Sequence, residues 1–158
     1  MADEMDELLK DPRITLWGLL VEVHAALVER IDGEIEAAAG VPASWFEVLL
    51  RLARSDADAV RMTALAEMLS FTSGGCSKLV DRMEAAGLIR REPDPHDRRV
   101  ALVALTEQGR EVLYRGLRVH VPGVQRHLVD HLTAGQVRQW EVLLRRLRDA
   151  LTDASTDQ

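Results

Sequence analysis

A run of small and basic residues between Thr72 and Arg82 could bind a polyanion if it forms one face of a helix. Apolar residues recur in this run at positions i, i+3, i+4 and i+7, which predicts a helix with one buried face: Cys76, Leu79, Val80 and Met83. The opposite face would carry hydroxyl groups and glycines first and positive charge beyond them: Thr72, Ser73, Gly74, Gly75, Ser77, Lys78 and Arg82. A helix N-terminus attracts phosphate, and small residues there let the backbone approach it closely. Because the major groove of B-DNA, about 12 Å wide, admits one helix, we interpret this face as a DNA-reading surface, against the alternative of an ordinary solvated face.

A second group of charges follows between two extended segments, Leu88–Glu92 and Arg99–Leu105. The connection between them contains Pro93 and Pro95, which exclude a helix and favour a turn. We therefore predict a β-hairpin with a charged tip. Arginine at such a tip can enter a minor groove, where negative potential is concentrated, and a neighbouring carboxylate can orient it. In the stem, Arg90 is predicted to meet a phosphate or to form an ion pair within the hairpin. At the tip, the predicted DNA contacts are Asp97, Arg98 and Arg99.

Two short helices before the hairpin would position these residues. Ser44–Arg54 and the segment after Thr63 carry apolar residues at helical spacing, and Thr63 is the predicted cap of the second helix. A turn at Ser70-Phe71 leads into the helix with the basic face, and Gly87 is expected to end that helix. Two helices joined by a tight turn, the second amphipathic, are typical of a helix-turn-helix. The run Ser55–Ala59 before them is predicted to be a polar connection.

A long apolar helix precedes this central region. Asp11-Pro12 predicts its start, as a capping side chain followed by proline, and Gly40 predicts its end. A coiled-coil-like apolar stripe runs along it: Ile14, Trp17, Val21, His24, Val28, Ile31 and Ile35. Such a stripe needs cover, which predicts a dimer. Burial within the core of the same chain is the alternative.

Two further helices follow the hairpin. One starts at Thr106-Glu107 and is predicted to be interrupted or kinked at Pro122; the other starts at a capping box formed by Thr133 and Gln136. The predicted fold is therefore mostly α, with a winged helix-turn-helix domain and a two-stranded β wing over residues 41–106. Dimerisation helices are expected over residues 1–40 and 107–152, with a frayed tail at 153–158.

Composition permits DNA as a partner without requiring it. The net charge is -6, but residues 1–60 hold 5 basic and 13 acidic side chains, whereas residues 61–99 hold 7 and 6. Because salt screens charges beyond roughly 8–10 Å, the local basic surface decides phosphate contact. A single cysteine, no apolar run of about 18 residues and no signal-peptide pattern lead us to expect a cytoplasmic protein without membrane contact.

Other patterns capable of chemistry are weaker. No phosphate-binding glycine loop or nucleophile elbow occurs, so we expect no enzyme activity, cofactor or metal. His127 and His131 have the i,i+4 spacing of metal ligands but only one nearby carboxylate, so a solvated or interface face is favoured. Cys76 is predicted to be buried and unreactive rather than a redox sensor. Four residues could line a small-molecule pocket between the DNA-binding lobe and the dimer helices: Trp17, His24, Trp45 and Phe46. For each of them an ordinary position in the core is the alternative.

The stretch from Leu65 to Leu113 resembles the signature region of MarR-type (multiple antibiotic resistance) regulators. The segments that carry the resemblance are LVDRMEAAGLIRR, DPHDRR and LTEQG, and the order of helices around them is similar over nearly the whole chain. The resemblance implies an obligate homodimer, with both chain ends in the dimer interface, that binds a palindromic operator in double-stranded DNA. It also implies a transcription repressor that commonly responds to a small aromatic compound or an oxidant.

By the same resemblance, Thr72 to Lys78 correspond to the start of the recognition helix. Asp97 and Arg99 match the wing aspartate and the minor-groove arginine, with Arg98 as a neighbouring phosphate contact. The chain departs from the family at Gly74-Gly75, where Ser or Thr often reads bases, so the expected base contacts shift to Thr72, Ser73, Ser77 and Lys78. A winged-helix surface that binds another protein is the alternative function, and salt dependence distinguishes the two.

Overall fold

The computed structural model describes residues 2–69 and 72–153, without the side chains of residues 2, 3, 73 and 153. The predicted turn at Ser70-Phe71 and most of the predicted tail therefore lie outside the described residues. Within them the chain is mostly helical, as predicted. The α-helices are α1 (Ala2–Leu9), α2 (Pro12–Ala39), α3 (Ala43–Ala53), α4 (Met62–Met68), α5 (Ser73–Ala85), α6 (Glu107–His127) and α7 (Ala134–Asp153). The strands are β1 (Ala59–Arg61), β2 (Ile89–Pro93) and β3 (Ala101–Leu105), and a 3-10 turn covers Val129–His131.

The long helix α2 begins and ends where its capping residues predict. The Asp11 side chain accepts a hydrogen bond from the backbone N–H of Arg13 at 2.8 Å, which satisfies one free donor of the first turn. Gly40 closes the helix at φ 73°, a left-handed conformation that glycine adopts without strain. The short helix α1 before it was not predicted.

A three-stranded antiparallel sheet and three helices form one winged lobe, which we define as α3, α4, α5 and β1–β3. The strand order is β1-β3-β2, so the predicted hairpin of β2 and β3 is confirmed, with Ile89 opposite Leu105. The predicted polar connection is wrong at its end, because Ala59–Arg61 pairs with β3 as a third strand. Side chains from the helices and the sheet make a shared core: Phe46, Leu49, Leu65, Cys76, Val80, Met83, Leu88, Ile89 and Val103.

The predicted cap at Thr63 is wrong, the predicted interruption at Pro122 is absent, and the predicted capping box is confirmed. Thr63 does not cap α4, because the helix starts at Met62 and Arg61 occupies the cap position without a side-chain hydrogen bond. Helix α6 is not interrupted at Pro122 but continues to His127; Pro122 is exposed, so water can reach the carbonyl that loses its partner. The capping box is present, since Thr133 Oγ1 accepts from the N–H of Gln136 at 3.3 Å and Gln136 Oε1 from the N–H of Thr133 at 2.8 Å.

Helix α6 joins the winged lobe to α2. Its Gly109 lies so close to Leu88, the residue before β2, that an added Cβ would stand 2.0 Å from the carbonyl oxygen of Leu88. At the other end of α6, Glu34 of α2 accepts hydrogen bonds from Arg126 and pairs with His127, each at 2.8 Å. The contact with His127, and after it the one with Arg126, holds the pKa of Glu34 below its usual value.

Apolar side chains stay exposed on α1, on the first half of α2 and along α7. The exposed set includes Met5, Leu8, Leu9, Ile14, Leu16, Trp17, Leu20, Val21, Val142, Leu144, Leu147 and Leu151. Only the end of the predicted stripe is covered within the chain, where Ile35 is buried and Ile31 is partly buried. Over the described residues α7 has no extensive contact with another helix, and no helix there has the length and apolarity to cross a membrane.

Candidate nucleic-acid interface

Thr72 caps the start of α5, which leaves an open polar face. The Thr72 hydroxyl oxygen accepts from the backbone N–H of Gly75 at 3.2 Å. An added Cβ on Gly74 would meet nothing within 4 Å, whereas one on Gly75 would stand 3.2 Å from Thr72 Oγ1. Gly74, Gly75, Lys78 and Arg82 are exposed and Ser77 is half-buried, while the side chain of Ser73 lies outside the described residues. The helix therefore presents the face that its periodicity predicts.

The inward face of α5 is also as predicted. Cys76, Leu79, Val80 and Met83 all belong to the core of the winged lobe. Burial raises the pKa of the Cys76 thiol, and the charge of Arg91 opposes this shift without cancelling it. Because the thiolate is the reactive form, the structure favours an unreactive core cysteine.

A left-handed glycine turns the chain from α5 directly into the hairpin. Gly87 has φ 74°, and its N–H donates to the carbonyl oxygen of Glu84 at 2.8 Å. The N–H of Leu88 donates to the carbonyl oxygen of Met83 at 3.0 Å. This is a Schellman motif, in which two free carbonyls of the last turn gain partners. Since β2 starts at Ile89, the motif sets the direction in which the hairpin leaves the helix.

The tip of the hairpin is organised by two aspartates. Asp94 accepts from the N–H of His96 at 2.8 Å and from Arg61 at 3.2 Å. Asp97 accepts from the backbone N–H of Arg99 at 3.0 Å, while the Nε atom of Arg99 stays 3.9 Å from the Asp97 carboxylate. Asp97 therefore orders the turn rather than holding the guanidinium tightly. The Arg99 side chain is 95% exposed.

The stem arginines differ from those at the tip. Arg90 Nε contacts Glu92 at 3.2 Å, and Arg90 Nη1 donates to the carbonyl of Leu105 at 2.7 Å. These bonds correspond to the ion pair within the stem that the sequence offered as one alternative for Arg90. Arg91 turns the other way and meets Asp81 and Glu84 of α5.

The four candidates for a small-molecule pocket do not come together. Trp17 lies 22 residues before the end of α2, about 33 Å along the helix, whereas Trp45 and Phe46 begin the next helix. Trp17 is 67% exposed and Phe46 is a core residue against which Gly116 packs. Within one chain, Trp17 therefore does not share a pocket with Trp45 and Phe46.

An open apolar groove lies elsewhere, between the first half of α2, the end of α6 and α7. Its volume is about 480 Å³, and its polar atoms include the imidazoles of His127 and His131. The apolar lining comes from α2, from α7 and from the segment between α6 and α7: Leu16, Leu19, Leu20, Val23, Leu27, Leu128, Leu132 and Trp140. The sequence predicts that His127 lies on a solvated or interface face. It does not predict that His127 lies in the same groove as the leucines of α2.

A helix-turn-helix with an open basic face, followed at once by an arginine-tipped hairpin, defines a winged helix-turn-helix protein. A sequence model of the MarR family matches residues 39–100, which span most of the winged lobe. The chain is 26% identical over 130 residues to the multiple antibiotic resistance protein MarR of Escherichia coli K12, covering 82% of this chain and 89% of that protein.

Solved structures agree with this match. A MarR family transcriptional regulator from Streptomyces coelicolor in complex with DNA has a TM-score of 0.80 and 32% identity, covering 87% of this chain and 86% of the other. A mutant MarR from Escherichia coli complexed with operator DNA has a TM-score of 0.76 and 25% identity, covering 86% and 95%. The chain belongs to the MarR family of winged helix-turn-helix transcription regulators.

Proposed function

We propose that this regulator represses transcription by binding a palindromic operator as a homodimer. In each subunit α5 would enter a major groove and Arg99 the adjacent minor groove, with half-sites about one helical turn apart. The observation that carries the proposal is that Lys78, Arg82, Arg98 and Arg99 are exposed on one lobe. Among the described residues only Arg99 has a carboxylate nearby, that of Asp97 at 3.9 Å. Exposed cations on α5 and at the hairpin tip, together with the N-terminus of α5, suit phosphate contact.

The unpaired apolar surface supports the homodimer. Exposed leucines and Trp17 on α2 continue onto α7, and a monomer rarely leaves so large an apolar surface in water. The dimerisation helices over residues 1–40 and 107–152 thus remain our assignment.

A small apolar effector is the second part of the proposal. The groove between α2 and α7 is lined by leucines and Trp140, with His127 and His131 as polar groups. This lining suits an aromatic molecule with one hydrogen-bonding substituent. Occupancy would change DNA affinity only to the extent that the ligand prefers one arrangement of the dimer helices.

The test is a footprint on the DNA upstream of the regulator's own gene, with affinity measured from 50 to 200 mM salt. A dimer that neutralises six or more phosphates should lose about a thousandfold in affinity over this range. Arg99→Gln should weaken binding and leave the oligomeric state unchanged. Arg54→Gln, the matched control at an exposed arginine at the end of α3, should leave DNA affinity unchanged. Affinity that is flat with salt, or no protected DNA, would favour a protein partner instead.

A further inference from the structure

Arg91 is the most heavily engaged arginine of the winged lobe. Its Nη1 atom lies 2.7 Å from Asp81 Oδ1 and 2.8 Å from Glu84 Oε2. Its Nη2 atom reaches the carbonyl oxygen of Ser77 at 3.4 Å, and its backbone N–H donates to Glu84 Oε1 at 2.8 Å. The side chain of one strand residue thus binds two successive turns of α5.

This engagement separates Arg91 from the residues proposed to contact DNA. Its side chain is 25% exposed, against 95% for Arg99, and two carboxylates compensate its charge. An arginine so neutralised has little charge left for phosphate. Its contacts instead run from β2 to the helix that carries Ser77 and Lys78.

The contacts supply a directional restraint between α5 and the hairpin. The core beneath them is made of apolar residues such as Val80, Met83 and Ile89, and apolar packing is not directional. Charge-assisted bonds from a planar guanidinium are directional. They can fix the rotation of the helix about its axis relative to the strand, which packing leaves less defined.

We propose that Arg91 is a positioning residue that locks the recognition helix to the wing, so that both meet DNA in one fixed relative orientation. The inference rests on the proposed function, since it concerns how the same two elements bind. Arg91 itself touches no DNA in this arrangement. Its effect on affinity passes through Asp81 and Glu84.

The decisive experiment uses the double variant Asp81→Asn with Glu84→Gln, which makes the lobe more positive near DNA. Simple electrostatics predicts tighter binding, and so does an Arg91 released to contact phosphate. A broken lock predicts weaker binding, by about tenfold at fixed salt, within the range of coupling between charges in one network. Glutamine keeps an acceptor for the N–H of Arg91, and a thermal melt checks that the double variant is folded.

A second pair of variants uses the salt dependence of binding. Arg91→Met should lower affinity while the slope of log affinity against log salt stays unchanged, because an already neutralised charge releases no counterion. Arg98→Met, the matched control at the exposed tip, should lower affinity and reduce that slope by about 0.9 for each phosphate that Arg98 neutralises in the wild type. The inference is overturned if the double variant binds as well as or better than wild type, or if Arg91→Met reduces the slope as the control does. If wild type binds no DNA, the proposed function fails instead.

Discussion

Asp94 and Arg61 stand 33 positions apart in the chain, and their side chains meet at 3.2 Å between Oδ2 and Nη2. Asp94 is only 5% exposed, and among the described residues it alone is both charged and buried. It links the hairpin to the strand that leads into α4. The hydrogen bond from the His96 N–H, and then the Arg61 side chain, hold the pKa of Asp94 below its ordinary 3.8.

Acid should therefore loosen the hairpin through Asp94. A carboxyl group with a lowered pKa in the folded state stabilises the fold fully above its ordinary pKa, and this contribution is lost as pH falls through the folded pKa. We expect the difference in unfolding free energy between wild type and Asp94→Asn to be largest near pH 7. It should shrink below about pH 4.

Urea denaturation of both proteins at pH 7 and pH 3 measures this difference. Asp130→Asn, an exposed aspartate beyond the end of α6, serves as the control for the general loss of carboxylate charge. If the difference in unfolding free energy between wild type and Asp94→Asn is the same at both pH values, the ionised Asp94 carboxylate does not stabilise the fold.

The sequence predicts elements that are specified locally. Asp11 begins α2 and Gly87 ends α5 through contacts within a few residues of themselves, and both behave as expected. The exposed face of α5 follows from four apolar residues at helical spacing. Local chemistry therefore fixes most of the candidate site.

Elements that exist only through partners distant in sequence were missed. The strand Ala59–Arg61 is too short to have a pattern and is defined by pairing with β3. The ion pair between Arg91 and Asp81 joins a strand to the helix before it. The sequence signal for this pair was the two acidic residues on that helix. Phe46 and Trp17 were grouped by residue type, although the length of α2 keeps them apart.

Close packing of α6 against the backbone of Leu88 gives a prediction about stability. A Cβ on Gly109 would stand 2.0 Å from the carbonyl oxygen of Leu88, a backbone atom that cannot move alone. Gly109→Ala should destabilise the fold by about 3 kcal/mol or more, as overpacking does. Gly33→Ala, the matched control inside α2 with no atom within 4 Å of its added Cβ, should stabilise it by about 0.5–1 kcal/mol. Equal effects on the denaturation midpoint would show that α6 can shift away from β2.

The exposed apolar surface on α2 and α7 predicts how dimerisation can be broken. Leu147→Asp places a charge in that surface and should yield a species near the chain mass of 17.6 kDa in sedimentation, instead of twice that mass. Met68→Asp is the control, because Met68 is a similarly exposed apolar residue on α4. DNA affinity should fall with dimer loss in the first variant. Dimers that persist in Leu147→Asp would place the interface elsewhere.

Gly74 tests whether the backbone of α5 approaches DNA closely. An added methyl group meets no atom of the protein, so Gly74→Ala should stabilise the helix by up to about 1 kcal/mol. If the glycine is needed for close approach, the same methyl group meets DNA and lowers affinity by about tenfold, the cost of one good base contact.

Stability and affinity should then change in opposite directions, as measured by a thermal melt and by fluorescence anisotropy on operator DNA. Gly33→Ala supplies the control, since it makes the same chemical change at an exposed position of α2 outside the winged lobe. Once sedimentation shows that this variant is still a dimer, it should leave affinity unaltered. Tighter binding by Gly74→Ala would mean that a more rigid helix start outweighs the lost space. The base contacts would then come from the side chains of Thr72, Ser77 and Lys78 without close approach of the backbone.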